Sequence, residues 1–336
     1  MTAEALQAGV RPAVEVEHLS VSMGGGLTLV HDVSFSVSAG RTLGIVGESG
    51  CGKSISLMSL VRLLPPGATI GASSVVRING QSVTRLPERE LEDLRGRHVG
   101  FVFQDPMTAL NPVYRVSHQV GQVVRRHFGL SRRAARERTL HALRSVGFPD
   151  PRRVADSYPH QLSGGMRQRV VIAMAIAAEP AVLLADEPTT ALDVTTQAEV
   201  LDLLARLQQE HHMALVLVSH DLGLIGEVAD EVCVMYAGRI VERGPAAQLL
   251  ERPRHPYSQA LLASAPSLDS TRGKPLPVIP GGLPAAGEHL DGCPFRPRCA
   301  HAFEACAELP PLTGAGRVAC WLVESEGGKT MEGATT

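Results

Sequence analysis

The residues best placed to do chemistry are Gly47-Glu48-Ser49-Gly50-Cys51-Gly52-Lys53-Ser54. They follow the apolar run Thr42-Leu43-Gly44-Ile45-Val46 and open a helical pattern from Ser54 to Leu64. Strand, glycine loop and helix in that order make G-x-x-x-x-G-K-[ST] a phosphate site. The glycines let the backbone curl until successive N–H groups point inward at oxygens. The helix start adds unsatisfied donors and a positive dipole, both of which favour an anion. Lys53 would reach the β- and γ-phosphates of a nucleoside triphosphate, and the Ser54 hydroxyl would ligate Mg²⁺.

Three further stretches place polar groups where an apolar strand ends. Ala181-Val182-Leu183-Leu184-Ala185 runs into Asp186-Glu187-Pro188. Acids at the carboxyl end of a buried parallel strand lie where open α/β sheets carry their chemistry. Asp186 would hold Mg²⁺, directly or through water, and Glu187 would polarise water for attack on the γ-phosphate. Val99 to Phe103 ends at Gln104, an amide able to hold Mg²⁺ or the attacking water; taken alone, it simply terminates a strand. Ala214 to Val218 ends in Ser219-His220-Asp221, and His220 would hydrogen-bond the γ-phosphate. A different placement occurs at Leu162-Ser163-Gly164-Gly165-Met166, where Ser163 caps a helix running to Ala178 and two glycines allow a ligand close to the backbone.

The elements that must position these groups follow from periodicity. Val14 to Met23 and Val33 to Val37 alternate apolar and polar, with Gly24-Gly25-Gly26 between them, and read as antiparallel strands ahead of the phosphate loop. Val75 to Asn79 is a further strand, followed by a charged helix from Pro87 to Arg97. Residues 116–147 are helical and carry seven arginines, which read as a solvated or partner-facing surface, because Glu137 interrupts the run and aromatic residues are almost absent. Ala191-Leu192-Asp193 precedes an amphipathic helix to about Glu210. Val232 to Tyr236 and Ile240 to Glu242 form a hairpin around Ala237-Gly238-Arg239. Beyond Arg252, Pro253, Pro256, Pro266, Pro275, Pro277, Pro280 and Pro284 break regular structure, apart from a short helix from Tyr257 to Ala263, so a domain boundary falls near residue 253.

Composition narrows the function. The net charge of −2 argues against bulk electrostatic binding to nucleic acid or anionic lipid. The longest apolar stretch, Val170 to Ala178, cannot span a bilayer, and the first twelve residues have no secretory h-region. The chain is therefore expected in the cytosol unless a partner brings it to a membrane. Cys293, Cys299, Cys306 and Cys320 crowd into the tail with spacings C-x5-C, C-x6-C and C-x13-C, unlike the close C-x2-C pairs of zinc ribbons. Four thiolates could hold a [4Fe–4S] cube or zinc, and a proline-rich segment poor in apolar residues needs such a staple. The cluster is favoured over zinc, which stays the alternative, with free thiols third; its expected role is structural, because the sequence shows no redox-partner site.

The phosphate loop, Gln104, LSGGM (162–166), LLADEP (183–188), ALD (191–193) and His220, in this order, resemble the ATP-binding-cassette (ABC) ATPase family. The resemblance implies an α/β P-loop NTPase core with an antiparallel β-subdomain and a helical subdomain at about 105–165, spanning 1–253, and a Pro/Cys-rich extension over 254–336. It also implies a head-to-tail pair in which each ATP lies between one subunit's phosphate loop and the other's Ser163, Gly164 and Gly165. Gln104 would sense the γ-phosphate and couple to a membrane subunit, Asp193 would speak across the pair, and Glu187 with His220 would support hydrolysis. Met23 stands where the family usually has an adenine-stacking aromatic, and offers a softer contact.

Within the family the chain looks like the ATPase subunits of oligopeptide and dipeptide importers. The residues are GIVGESGCGKS (44–54), FVFQDPMTALNP (101–112), HPYSQALLASAPSLD (255–269), IPGGLP (279–284) and GCPFRPRC (292–299). This implies uptake of di- and oligopeptides, with nickel or glutathione as alternative substrates of the same family. It implies a [4Fe–4S] cluster on the four tail cysteines. It further implies a second, homologous but non-identical ATPase subunit, two transmembrane permease subunits and an extracytoplasmic peptide-binding protein. The chain would then be peripheral, on the cytoplasmic face of the inner membrane, with no nucleic-acid partner. A soluble ABC ATPase acting on nucleic acid or ribosomes is the competing reading; such proteins commonly carry two cassettes or a long coiled-coil insertion, and this chain has neither. A regulatory module whose cysteine tail senses iron or oxidants is a third.

Overall fold

Strands Val182–Asp186 and Ala214–Ser219 are buried at every position, as an apolar run covered on both faces must be. The computed structural model describes residues 11–190, 192–264, 277–285, 288, 291–312 and 317–323. Ala191, Pro266, Pro275, the end of the 255–269 motif and the first ten residues, all used above, lie outside the described residues.

The first half runs β1 (Val14–Met23), β2 (Leu27–Val37), β3 (Thr42–Val46), α1 (Lys53–Ser59), β4 (Ala68–Ile70), β5 (Val75–Ile78), β6 (Gln81–Ser82), α2 (Glu88–Arg97), β7 (Val99–Val102) and α3 (Pro106–Ala109). Helices α4 (Val116–Phe128), α5 (Arg132–Ser145), α6 (Pro151–Asp156) and α7 (Gly164–Ile176) follow. The chain continues with β8 (Val182–Asp186), α8 (Val194–His211), β9 (Ala214–Ser219), α9 (Leu222–Val228), β10 (Glu231–Tyr236), β11 (Arg239–Pro245), α10 (Ala246–Glu251) and α11 (Pro256–Ser264).

Two sheets result. One is antiparallel, β2-β1-β5-β6, with β4 also on β1. The other has the order β11-β10-β3-β9-β8-β7 and is parallel from β10 to β7, with β11 as an antiparallel edge. The period of two sorts its side chains onto opposite faces. Val182, Leu184, Val216 and Val218 pack with the antiparallel sheet, whereas Leu183, Ala185, Leu215 and Leu217 pack with α4, α5 and α7. Tyr257, Leu261 and Phe295 of the C-terminal region belong to this second core.

Several boundaries differ from expectation. The helix after the phosphate loop stops at Ser59 rather than Leu64. Residues 116–147 form two helices, because Gly129 closes α4 in the left-handed region and Ser131 caps α5 by accepting from the Ala134 amide at 3.3 Å. Arg126 pairs with Glu92 at 3.3 Å and Arg136 with Asp156 at 3.2 Å, so part of the arginine run serves packing between helices.

Candidate active site

Because β3, β9, β8 and β7 are adjacent and parallel, their carboxyl ends lie along one edge of the sheet. The phosphate loop leaves β3, His220 follows β9, Glu187 follows β8, and Gln104 lies two residues beyond β7. An open cleft with about 600 Å³ of empty space sits there, lined by Leu29, Ser49, Gly50, Gly52, Lys53, Ser54, Ile55, Gln104 and Glu187.

Glycine is required at two points of the loop. A Cβ at Gly47 would lie 2.2 Å from the Met235 carbonyl oxygen. At Gly52, where φ is +104°, it would lie 2.9 Å from that of Leu29. Cys51 is buried at the back of the loop, and burial pushes its thiol up to about 11, so it packs rather than reacts. Its backbone, like those of Glu48 and Ser49, shapes the turn.

Lys53 is 3% exposed and donates to the Gly47 carbonyl at 2.7 Å and the Glu48 carbonyl at 3.0 Å. Its ammonium lies 3.6 Å from Glu187 Oε1. The Ser54 hydroxyl donates to Asp186 Oδ1 at 2.8 Å. One hydroxyl and one carboxylate side by side are the protein's share of a Mg²⁺ site completed by substrate phosphates, and the pair fits that use. Burial raises the Asp186 pKa, because a low-dielectric surrounding disfavours the charged carboxylate.

Glu187 is the hub. Its φ of +43° is unusual for a side chain of this size, and its amide is fixed by donation to the Val218 carbonyl at 3.0 Å. Oε2 accepts from Thr190 at 2.7 Å and from Gln104 at 3.2 Å, and His220 Nδ1 stands 3.4 Å away. His220 foremost, then Thr190 and Lys53, hold the carboxyl well below the usual range, at about 2, against the opposing effect of burial. Glu187 in turn raises the His220 pKa. Gln104, Glu187, His220, Lys53, Ser54 and Asp186 are thus drawn into one constellation.

Ser163, Gly164 and Gly165 are not among the residues lining this cleft. They start α7, where Ser163 caps the helix by accepting from the Met166 amide at 3.3 Å, and Ser163 and Gly164 are exposed. Asp193 caps α8 with its side chain, accepting from Thr196 N at 3.0 Å and from Thr196 Oγ1 at 2.8 Å.

Sequence reasoning missed Thr190, whose place one turn after Glu187 in a Thr-Thr turn is a readable hint. It also missed Leu29 and Ile55 in the cleft wall, and Tyr257 and Arg298, which reach Glu48 from the C-terminal region. The four tail cysteines do converge: Cys293, Cys299, Cys306 and Cys320 line one pocket with His255, Phe295 and Trp321. Among the described residues, no three His, Cys, Asp or Glu side chains stand close enough together to share a single metal ion.

Comparison with known proteins agrees with this geometry. Residues 30–190 match the family described as ABC transporter, and residues 241–306 match the oligopeptide/dipeptide transporter, C-terminal region. The chain is 47% identical over 302 residues to the oligopeptide transport ATP-binding protein OppD of Salmonella typhimurium, covering 89% of each chain. Among solved structures it resembles the dimeric ATP-binding cassette MJ0796 in a post-hydrolysis state bound to ADP and Pi, with a TM-score of 0.61, 28% identity, and 69% of this chain and 98% of that one covered. It also resembles cbiO1 of Clostridium perfringens, part of the ABC transporter complex cbiONQ, with a TM-score of 0.63, 27% identity, and coverage of 72% and 91%. With the phosphate loop and the acid pair on one sheet edge, and a relative 47% identical over 89% of the chain, the family follows: the chain belongs to the ABC transporter ATPases, in the group that carries the oligopeptide/dipeptide transporter C-terminal region.

Proposed function

We propose that this chain is the ATP-hydrolysing subunit of an importer that takes up di- and oligopeptides across the cytoplasmic membrane. The observation that carries the substrate class is the 241–306 region, shared with oligopeptide and dipeptide transporters and packed into the same core as the ATP cleft. Lys53 and the loop amides bind the phosphates, Ser54 and Asp186 would hold Mg²⁺, which would neutralise phosphate charge, and Glu187 orients water with Gln104 and His220 around it. Ser163 and Gly164, exposed at a helix start, with the half-buried Gly165, would complete the nucleotide site of a second, homologous ATPase subunit. The division at residue 253 into a nucleotide-binding domain and an extension is part of this reading.

Among the described residues no helix is long and apolar enough to cross a membrane, so two permease subunits would supply the channel and a binding protein the peptide. The chain would sit at the inner face of the membrane. Exposed Phe103, Met107, Val113 and Tyr114, all close to Gln104 in sequence, suit docking to a permease. The test is ATPase activity of the complex with its permeases in lipid nanodiscs. Peptide-loaded binding protein is expected to stimulate it several-fold; stimulation by nickel or glutathione alone would overturn the peptide assignment.

We further propose a [4Fe–4S] cluster on Cys293, Cys299, Cys306 and Cys320. Four thiols lining one pocket are the number and kind of ligand a cube takes. Backbone amides face the sulfurs: Phe295 and Arg296 on Cys293, His301 on Cys299, and Leu322 and Val323 on Cys320. Such N–H groups stabilise sulfur-bound clusters. Burial pushes the Cys293 thiol up to about 11, a cost that a cationic group in the pocket would offset. His255, 1% exposed, also lines the pocket, and its Nδ1 accepts from the Tyr257 amide at 3.0 Å, which places the ring proton on Nε2. Anaerobic purification is expected to give about four irons and four sulfides per chain, lost in Cys299→Ser. One zinc without sulfide, or no metal, would overturn the cluster while leaving the ATPase intact.

A further inference from the structure

The phosphate loop is gripped from outside by the C-terminal region, and we infer that Arg298 is a positioning residue for nucleotide binding, an inference that rests on the ATP site proposed above. Arg298 ends a short turn, Arg296–Arg298, directly before Cys299. Its side chain is 5% exposed and meets Glu48 fork to fork, Nη1 to Oε2 at 2.7 Å and Nη2 to Oε1 at 2.9 Å. Nε donates to the Pro280 carbonyl at 2.7 Å, and the guanidinium lies 5.8 Å from the Tyr236 ring centroid. A buried guanidinium is tolerated only when its donors are satisfied, and the Glu48 carboxyl together with the Pro280 carbonyl meets that need here.

The other polar groups of Glu48 are occupied as well. Its N–H donates to the Tyr257 hydroxyl at 2.8 Å, and its carbonyl accepts from Lys53 at 3.0 Å and from the Cys51 amide at 3.3 Å. Tyr257 is itself held by rings, with Tyr236 at 4.7 Å and Phe295 at 5.3 Å. Leu283 comes within 3.9 Å of where a Cβ on Gly50 would sit. Three residues of the C-terminal region therefore fix residues 48 and 50, and residue 48 carries the carbonyl that steers Lys53.

A phosphate loop works by aiming amides and an ammonium, and misplacement by an ångström costs affinity steeply. If the ion pair supports that aim, its loss appears in nucleotide affinity. If it only braces the fold, its loss appears in melting alone.

The test is a double-mutant cycle on the full-length chain, read by the dissociation constant of mant-ATP, a fluorescent ATP analogue. Arg298→Gln and Glu48→Gln are each expected to weaken binding about tenfold, and the double variant no more than the weaker single. Arg298→Gln is also expected to raise KM for ATP more than it lowers kcat. Should Arg298→Gln fold poorly, Glu48→Gln breaks the same pair from the core side and leaves the cysteine turn untouched. Affinities within twofold of wild type with lowered melting temperatures, or losses that multiply in the double variant, would overturn the inference. Absence of mant-ATP binding by the wild-type chain would instead overturn the nucleotide site.

Discussion

Replacing Glu187 with glutamine is expected to lower the ATP turnover number by about 10²- to 10³-fold while mant-ATP affinity stays within a few-fold of wild type. Asp186 and Glu187 are adjacent in sequence, yet their environments push them in opposite directions. Burial raises Asp186, whereas His220, Thr190 and Lys53 lower Glu187 to about 2. Paired carboxylates driven apart in this way take different roles. Asp186, bonded to the Ser54 hydroxyl at 2.8 Å, is the metal-facing acid. Glu187 stays ionised at any working pH, and a carboxylate with so low a pKa is a poor final acceptor of a proton. Its contribution is to orient and polarise water, so the expected loss stays in the ordinary range for general-base groups. Steady-state phosphate release and mant-ATP titration on the same preparation check this. A fivefold loss or less would move the water-orienting role to Gln104 or His220.

The core of the site was legible because each part announces itself locally. The loop glycines sit between a strand and a helix, and the acids end a strand that is apolar throughout. What could not be read depends on distant chain. The expected helix end at Leu64 fails because Arg95 Nε donates to the Val61 carbonyl at 2.8 Å and its Nη2 to that of Arg62 at 3.1 Å. Those contacts pin a turn in which Arg62 adopts a φ of +52°, a conformation no arginine propensity would suggest. Strand β2 begins at Leu27 rather than Val33 because Asp32, at φ +53°, interrupts the alternation with an irregular register that β1 accommodates. Tyr257 and Arg298 lie 209 and 250 residues from Glu48, and no period or cap marks such a partnership in the sequence. The phosphate site is a local construction, and its outer brace is a product of the tertiary fold.

Lys53→Met tests the other pole of the site and is expected to weaken mant-ATP binding about 10²-fold and to abolish measurable turnover. Charge-assisted hydrogen bonds to phosphate contribute about 1.5–3 kcal/mol, and methionine supplies none. The same change alters the electrostatics of the site itself. Lys53 is 3% exposed and stands against both the loop carbonyls and Glu187, whereas His220, on the other side of Glu187, stands half open to solvent. Without Lys53, Glu187 loses one of the influences that hold its carboxyl at about 2, and its pKa in the folded chain rises toward the ordinary 4.5. A depressed carboxylate pKa contributes stability that is fully present above the unfolded value and is lost as pH falls through the folded one. The wild-type chain is therefore expected to melt above Lys53→Met at pH 7, and the gap is expected to narrow as pH falls from about 4.5 toward 2. Melting curves across that window, beside mant-ATP titrations at pH 7, measure both effects. Binding within threefold of wild type would remove Lys53 from the phosphate site, whereas a gap in melting that stays constant with pH would show that Lys53 acts on the loop carbonyls and not on Glu187.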